Sequence, residues 1–216
     1  MSRWMDDAVE EYLTRLAEVE HDDPVLVEME ARAEENGFPI VGRATGRYLE
    51  LAARSIGARR IMELGSGYGY SAYWFARAVG ADGEVICTDG DPDNARHAEA
   101  YLRKAGLWDR VRYRVGDALA GFSAEPGEFD VVYCDVDKLG YPDCWRAARE
   151  RIRVGGLWLC DNVIWSGHVA TGTDRERLPG WTAAIREHNR LVAEDDRYVG
   201  SIVPIRDGVM AALRVR

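Results

Sequence analysis

Basic residues are the minority charge in this chain. It has 28 Lys and Arg against 37 Asp and Glu, a net charge of −9. A general nucleic-acid binder carries a basic excess, so a polyanionic partner is disfavoured. Cysteine is scarce as well. Cys87, Cys134, Cys144 and Cys160 form no C-x-x-C pair, and three of them lie in apolar, strand-like runs. That pattern favours reduced, buried thiols in a cytosolic protein over a disulfide framework. No stretch reads as a signal peptide or as an apolar membrane span. Repeats, low-complexity tracts and linkers are also lacking. The four histidines, His21, His97, His168 and His188, do not recur at ligand spacing, which argues against a zinc site.

What is present begins with size. A chain of 216 residues, 47% hydrophobic and 30% charged, suits a single soluble domain with a sizeable core. The stretch around which it is organised runs from Arg59 to Ser71, RRIMELGSGYGYS. A short apolar run ends at Glu63-Leu64, glycines alternate at 65, 67 and 69, and a helical pattern follows. Glycines allow a sharp turn and a close approach of backbone to ligand, and the helix start offers free N–H donors. The pyrophosphate fingerprint has its third glycine one residue later. Glu63 beside the loop would repel a pyrophosphate and suit a ligand with a cationic end. S-adenosylmethionine (SAM) carries both a sulfonium and an ammonium, and acid-x-Gly-x-Gly-x-Gly is the usual methyltransferase form of this loop. Glu63, Gly65, Ser66, Gly67 and Ser71 are therefore candidate donor-binding residues. A dinucleotide site and an ordinary glycine-rich turn are the alternatives.

Along the chain, Met5 to Glu20 has helical periodicity through Val9, Tyr12, Leu13, Leu16 and Val19. Asp23-Pro24 caps a second helix that stops at Asn36-Gly37. Residues 1–43 thus form a helical segment suited to a lid or a dimer contact. A loop from Phe38 to Arg43 and a helix from about Thr45 to Ile56 follow. Strands are then expected at Arg60–Leu64, Glu84–Thr88, Val111–Val115, Phe129–Cys134 and Gly156–Cys160. Helices are expected at Tyr70–Val79, from Asp91-Pro92 to Ala105, from Tyr141-Pro142 to Ile152, and at Trp181–Glu194. A long loop precedes the last of these. Tyr198–Ile205 and Val209–Val215 flank an Asp-Gly hairpin signal, so the final strand should run antiparallel. Together these elements predict an α/β, Rossmann-like fold: a mostly parallel seven-stranded sheet covered by helices on both faces.

Five acids, Glu63, Asp89, Asp117, Asp135 and Asp161, fall at successive strand ends, the edge that lines the ligand crevice in such sheets. Asp89, with Gly90 beside it, stands where a carboxylate binds ribose hydroxyls. Capping the next helix is its alternative role, for which Asp91 is better placed. Asp117 and Ala118 are positioned to flank an adenine, and Asp117 is equally suited to a plain cap. Asp135, Asp161 and Asn162 offer hard oxygens from adjacent strand ends, a set that suits Mg²⁺ with positions left for an acceptor and water. A turn after a buried strand would also explain Asp161-Asn162. Lys138, three residues past Asp135, either reaches solvent or serves as a general base, its pKa lowered by a neighbouring cation.

Together, ELGSGYGYS, CTDGDP, GDA, YCDVDKLGY, GGLWLCDNVIWSG and VPIRDGVMAALR resemble the cation-dependent O-methyltransferases, the group with caffeoyl-CoA and catechol O-methyltransferases. The resemblance covers about Val25 to Arg214. It implies a divalent ion (Mg²⁺, or Mn²⁺ or Ca²⁺) on Asp135, Asp161 and Asn162, and Lys138 as base. It places methyl-donor contacts on Val41, Glu63, Gly65, Ser71, Asp89, Ala118, Asp135 and Asp137. The implied reaction is methyl transfer to a phenolic oxygen, with Trp165, Tyr68 and Tyr141 around the ring and Ser166 near the acceptor. A cytoplasmic homodimer acting on a small phenol is expected, without nucleic-acid or membrane partners. Plant relatives carry bulkier residues at positions 66 and 67 and Asn at 166, and the loop Gly167 to Pro179 has its own sequence, so the acceptor stays open. Three other functions remain: a tRNA hydroxyuridine methyltransferase, a non-catalytic SAM-binding module, and a nicotinamide dehydrogenase.

Overall fold

The computed structural model describes residues 7–18, 23–175 and 177–216. The chain runs α1 (Asp7–Glu18), α2 (Pro24–Asn36), α3 (Gly42–Ser55), β1 (Arg60–Leu64), α4 (Tyr70–Ala78), β2 (Glu84–Asp89), α5 (Pro92–Lys104) and β3 (Val111–Val115). It continues with α6 (Ala118–Ala124), β4 (Phe129–Cys134), α7 (Tyr141–Ala148), β5 (Ile152–Cys160), α8 (His168–Thr171), α9 (Trp181–Glu194), β6 (Tyr198–Val203) and β7 (Val209–Arg214). Met5, Val19, Glu20 and His21, at the ends of the first expected helix or just beyond it, lie outside the described residues.

Local chemistry sets the helix ends as expected. Asp23 Oδ1 accepts the Val25 N–H at 2.8 Å, and Gly37 closes α2 in the left-handed region at φ 60°. Asp91 caps α5 by accepting the Asp93 N–H at 2.8 Å. Each stabilises a helix end by about 1 kcal/mol.

The sheet order is β3-β2-β1-β4-β5-β7-β6. β1 to β5 pair in parallel, and β7 lies antiparallel between β5 and β6. Strand residues alternate between the two faces. Ile61, Val131 and Tyr133 face a core with Leu26, Leu49, Trp74, Phe75 and Leu102 from α2–α5. Met62, Val132 and Cys134 face a second core with Phe122, Trp145, Ile185 and Val192 from α6, α7 and α9. All four cysteines are buried free thiols. Among the described residues no helix is long and apolar enough to cross a membrane.

Apart from shifts of two or three residues at the start of α3 and the end of β6, the differences from the expected elements lie in the second half of the chain. A short helix, α6, links β3 to β4 where none was expected; Asp117 starts it by accepting the Ala120 N–H at 2.8 Å. β5 begins at Ile152, four residues early, with an irregular register against β4 between Phe129 and Val131. α7 correspondingly stops at Ala148. The long loop before α9 contains a tight turn at Trp165–Gly167 and α8.

Strand order reverses between β1 and β4, and there the carboxyl ends open a crevice. The backbone carries the acids to that edge. Asp135 N–H donates to the Leu64 carbonyl at 2.8 Å, and Asp161 N–H to the Cys134 carbonyl at 3.2 Å. On the other side Gly116 N–H donates to the Asp89 carbonyl at 2.9 Å.

Candidate active site

A cavity of about 830 Å³ occupies this edge. Its volume falls within the range of small-molecule sites. One half is built on the glycine loop. Gly65 has φ 82°, and a Cβ there would lie 2.6 Å from the Asp135 carbonyl oxygen. Only glycine lets the loop press this closely on the end of β4. Gly67 N–H donates to Asp89 Oδ2 at 3.0 Å, while Asp89 Oδ1 accepts from Asp91 N–H and Asn94 Nδ2. The Tyr113 hydroxyl holds the Gly67 carbonyl. Asp89 is thus a brace for the loop as well as a wall residue.

Val41, Ser66, Ser71, Gly90, Asp117, Ala118 and Asp137 line the same space. Asp117 does so while capping α6. Glu63 differs from expectation. It is fully buried and does not line the cavity. Burial pushes its carboxyl up to about 7, against the pull of the Ser71, Ser66 and Cys87 side chains, with Asp135 pushing the same way as burial. Its Oε1 has no hydrogen-bond partner. Ser66 and Ser71, whose hydroxyls lower its pKa, sit on the wall above it.

The other half gathers at the ends of β4 and β5. Asp135, Lys138, Asp161, Asn162 and Trp165 all line it. Lys138 Nζ lies 2.8 Å from Asp135 Oδ1 and its side chain is buried. Burial alone would lower its pKa, but the Asp135 carboxylate outweighs this and holds it above the ordinary lysine value. The expected fall is therefore not a property of the protein by itself; it requires a positive charge beside Asp135. Asp161 is 4% exposed, and burial together with the neighbouring Asp135 pushes its carboxyl above the ordinary carboxylate range. Two carboxylates in one poorly hydrated corner, with a single lysine, form a donor set that a hard divalent cation fits. Among the described residues no three His, Cys, Asp or Glu side chains cluster at metal-ligand spacing; Asn162 lines the same half of the cavity.

Only two of the 28 basic residues are lysines, Lys104 and Lys138. Lys104 is an exposed partner of Glu28. The buried position is thus one of the rare places where this arginine-rich chain carries a base that can lose its proton.

The loop after β5 is strained. Asn162, Trp165 and Ser166 have φ of 55°, 52° and 51°, and such values are outliers for a bulky residue. The β6–β7 turn holds them there. Val163 N–H donates to Gly208 O at 3.1 Å, Ile164 N–H to Asp207 O at 2.8 Å, and Ser166 N–H to Asp207 Oδ1. A Cβ on Gly208 would sit 2.4 Å from Ile164 Cγ1. Arg206, itself at φ 49°, donates to the Ile40 carbonyl at 2.7 Å. One turn thereby ties the acceptor-side loop to the segment before α3.

Two acceptor-side expectations change. Tyr141 is fully buried behind the wall, because its hydroxyl donates to the Asp161 carbonyl at 2.9 Å. Its ring lies 5.0 Å from Lys138 Nζ. Ser166 does not line the cavity either; its backbone and hydroxyl are taken by Asp207 and Arg175. Tyr68 is on the wall, with its hydroxyl donated to the Met29 carbonyl at 2.9 Å. The aromatic partner of Trp165 is Trp181, at 5.5 Å between ring centroids. Trp181, Arg175, Asp207 and Phe38 line the cavity without having been singled out. The one available signal was Pro179-Gly180, which places Trp181 at a helix start near the crevice.

A family model described as O-methyltransferase matches residues 10–215. A catechol O-methyltransferase of Niastella koreensis is 34% identical over 78% of this chain and 78% of its own. A caffeoyl-CoA O-methyltransferase of Eucalyptus gunnii is 29% identical over 79% and 72%. Among solved structures, the Bacillus cereus O-methyltransferase in complex with SAH superposes with a TM-score of 0.84 at 27% identity, covering 96% of this chain and 97% of that one. TomG of Streptomyces achromogenes, in complex with SAM and involved in tomaymycin synthesis, gives 0.85 at 27%, covering 98% and 100%.

Proposed function

The chain belongs to the O-methyltransferase family, and from that premise we propose that it transfers the methyl group of SAM to one hydroxyl of a catechol-like or caffeoyl-type phenol with the help of a divalent cation. What carries this reading is one juxtaposition. The Asp135–Lys138 pair, at 2.8 Å, and buried Asp161 share a cavity wall with the glycine loop. SAM dependence is a property of its homologues and structural neighbours.

Asp135, Asp161 and Asn162 would hold the cation. When bound, it supplies two things: it favours the phenolate form of the acceptor, and it neutralises the Asp135 charge that keeps Lys138 protonated. Lys138, once it has given its own proton to solvent and become a neutral amine, receives the phenol proton at Nζ. Phenols otherwise titrate at about 10 and are mostly protonated near neutrality. Trp165 and Trp181, packed against each other at 5.5 Å between centroids, give the acceptor an aromatic wall on one side, and the glycine loop with Asp89 positions the donor. Holding oxygen, methyl carbon and sulfur in line contributes on the order of 7–11 kcal/mol.

The net charge of −9 weighs against a nucleic-acid acceptor, and the four buried free thiols suit a cytosolic setting. A second copy of the chain is the proposed partner. Val9, Tyr12, Leu13 and Leu16 are 47%, 62%, 45% and 51% exposed on α1, one apolar stripe that a dimer would cover. The test is a panel of catechol, a caffeoyl ester and hydroxyuridine tRNA, with and without Mg²⁺, reading the demethylated donor. Mg²⁺-dependent turnover of the phenols is expected. Full activity in excess chelator, or turnover of the tRNA alone, would overturn the reading.

A further inference from the structure

The acceptor end of the cavity carries a cation that the chemistry above does not use. Arg175 lines the cavity, and its guanidinium lies 4.1 Å from the centre of the Trp165 ring. Its other contact is a neutral one, Nη2 donating to the Ser166 hydroxyl at 2.5 Å. Many of the other arginines meet carboxylates, as Arg43 does Glu30, Arg60 does Glu84 and Arg197 does Asp195, while Arg110, Arg151 and Arg206 donate to backbone carbonyls and do not line the cavity. No carboxylate of the described residues is in ion-pair contact with Arg175, although Asp207 is near enough to feel its charge. Beside it the indole N–H of Trp165 is buried with no partner. An always-charged fork of donors stacked on an aromatic ring is a site for an oxyanion.

The rest of the wall sharpens this. Asp89, Asp117, Asp135, Asp137, Asp161 and Asp207 all face the cavity, and its other cation, Lys138, is engaged by Asp135. Without Arg175, an acceptor with an anionic substituent would find on this wall no side-chain cation other than Lys138, which Asp135 already engages. A neutral catechol has no use for it.

We propose that Arg175 is a specificity-determining residue of the acceptor subsite, and that the preferred acceptor is an aromatic vicinal diol bearing an anionic group, which Arg175 binds while Trp165 supports both the guanidinium and the ring. The inference rests on the phenolic-acceptor reading above. The anion could be a carboxylate on the ring or its side chain, or a phosphate of a thioester-linked nucleotide carrier; the chemistry Arg175 recognises is the same.

The experiment measures kcat and KM with Mg²⁺ for catechol, 3,4-dihydroxybenzoate, its methyl ester, caffeate, and caffeoyl-CoA, in the wild type and in Arg175→Gln and Arg175→Lys. In the wild type at least one anionic acceptor should exceed the methyl ester in kcat/KM by about tenfold or more, a typical effect of a charge-assisted pair. Arg175→Gln should remove that advantage through KM and leave the ester within about twofold. Arg175→Lys should restore part of it. Whether the free acids or the thioester carry the advantage identifies the source of the anion, and either supports the proposal. Equal use of ester and anionic acceptors by the wild type would overturn it. So would an equal loss on all acceptors in Arg175→Gln, which would make Arg175 a mere prop for Trp165. Turnover of plain catechol is independent of these outcomes; its absence along with that of every other phenol in the panel would instead sink the phenolic reading.

Discussion

The donor half and the acceptor half of the cavity are built on opposite principles. The donor half is local. One strand-loop-helix unit, braced by Asp89 and Tyr113, presents backbone to the ligand. The acceptor half is a convergence: the ends of β4 and β5, the loop to α9 and the β6–β7 turn meet there, with φ above 48° at Asn162, Trp165, Ser166 and Arg206. Backbone strain of this kind persists only where surrounding contacts over-determine it, and it concentrates at functional sites. A binding loop can be carried by a short motif, whereas an acceptor pocket of particular shape is distributed over the chain.

The contrast is open to direct attack, and the strongest blow is a pair of substitutions. Asp161→Ala should abolish metal-dependent turnover while calorimetry still finds the donor bound. Gly65→Ala forces a Cβ against the Asp135 carbonyl at a left-handed φ, a cost of about 1–3 kcal/mol. It should weaken donor binding roughly tenfold or more, by the same conversion. If both variants lose donor and metal alike, the two halves are not separable.

Lys138→Ala comes next. Loss of a general base typically lowers kcat by about 10²–10⁴-fold, and donor affinity should hardly change. Lys138→Arg should not rescue the rate, since a guanidinium cannot give up its proton. An unchanged rate in the alanine variant would move the base elsewhere.

Asp207→Ala tests the convergence itself. Its carboxylate holds the Ser166 N–H in a strained loop, so stability should fall by about 1–3 kcal/mol, seen as a lower Tm. The acceptor KM should rise more than the donor Kd. Equal changes in both would deny the turn its place on the acceptor side.

The smallest expected effect lies on the donor side. The Glu63 carboxyl is pushed up to about 7 in the folded protein from an ordinary value of 4.5. Between those values the folded chain keeps a proton that the unfolded chain releases, so this group's contribution to stability is present below about 4.5 and lost as pH rises toward 7. The wild type should therefore lose on the order of 2 kcal/mol relative to Glu63→Gln across that window. Burial pushes His188 the other way, down to about 4, but it is common to both proteins and cancels in the difference. Parallel stability-pH curves would show Glu63 ionised in the fold.

Much of the architecture was legible because it is periodic. The strands at 60–64, 84–88, 111–115 and 129–134 coincide with or nearly match the observed elements, and Asp23 and Asp91 cap as their chemistry requires. α6 was missed because seven residues starting ALAG give too little helical period, although capping was one of the two roles weighed for Asp117. Tyr141 was expected around the acceptor ring together with Trp165 and Tyr68. Its burial depends on the Asp161 carbonyl, which becomes its neighbour only when β5 lies beside β4. Trp181 and Arg175 carry no motif at all and reach the wall through the path of an irregular loop.

The sequence alone determined the glycine loop, the row of acids at strand ends and the Asp135-Lys138 spacing, since each depends on residues within a turn or two of one another and on strand alternation. Tertiary structure decided which aromatics and which arginine line the cavity, that Glu63 lies beneath the wall, and that Lys138 is held charged by Asp135. Those outcomes turn on burial and on through-space charge, and both are set by segments distant in the chain.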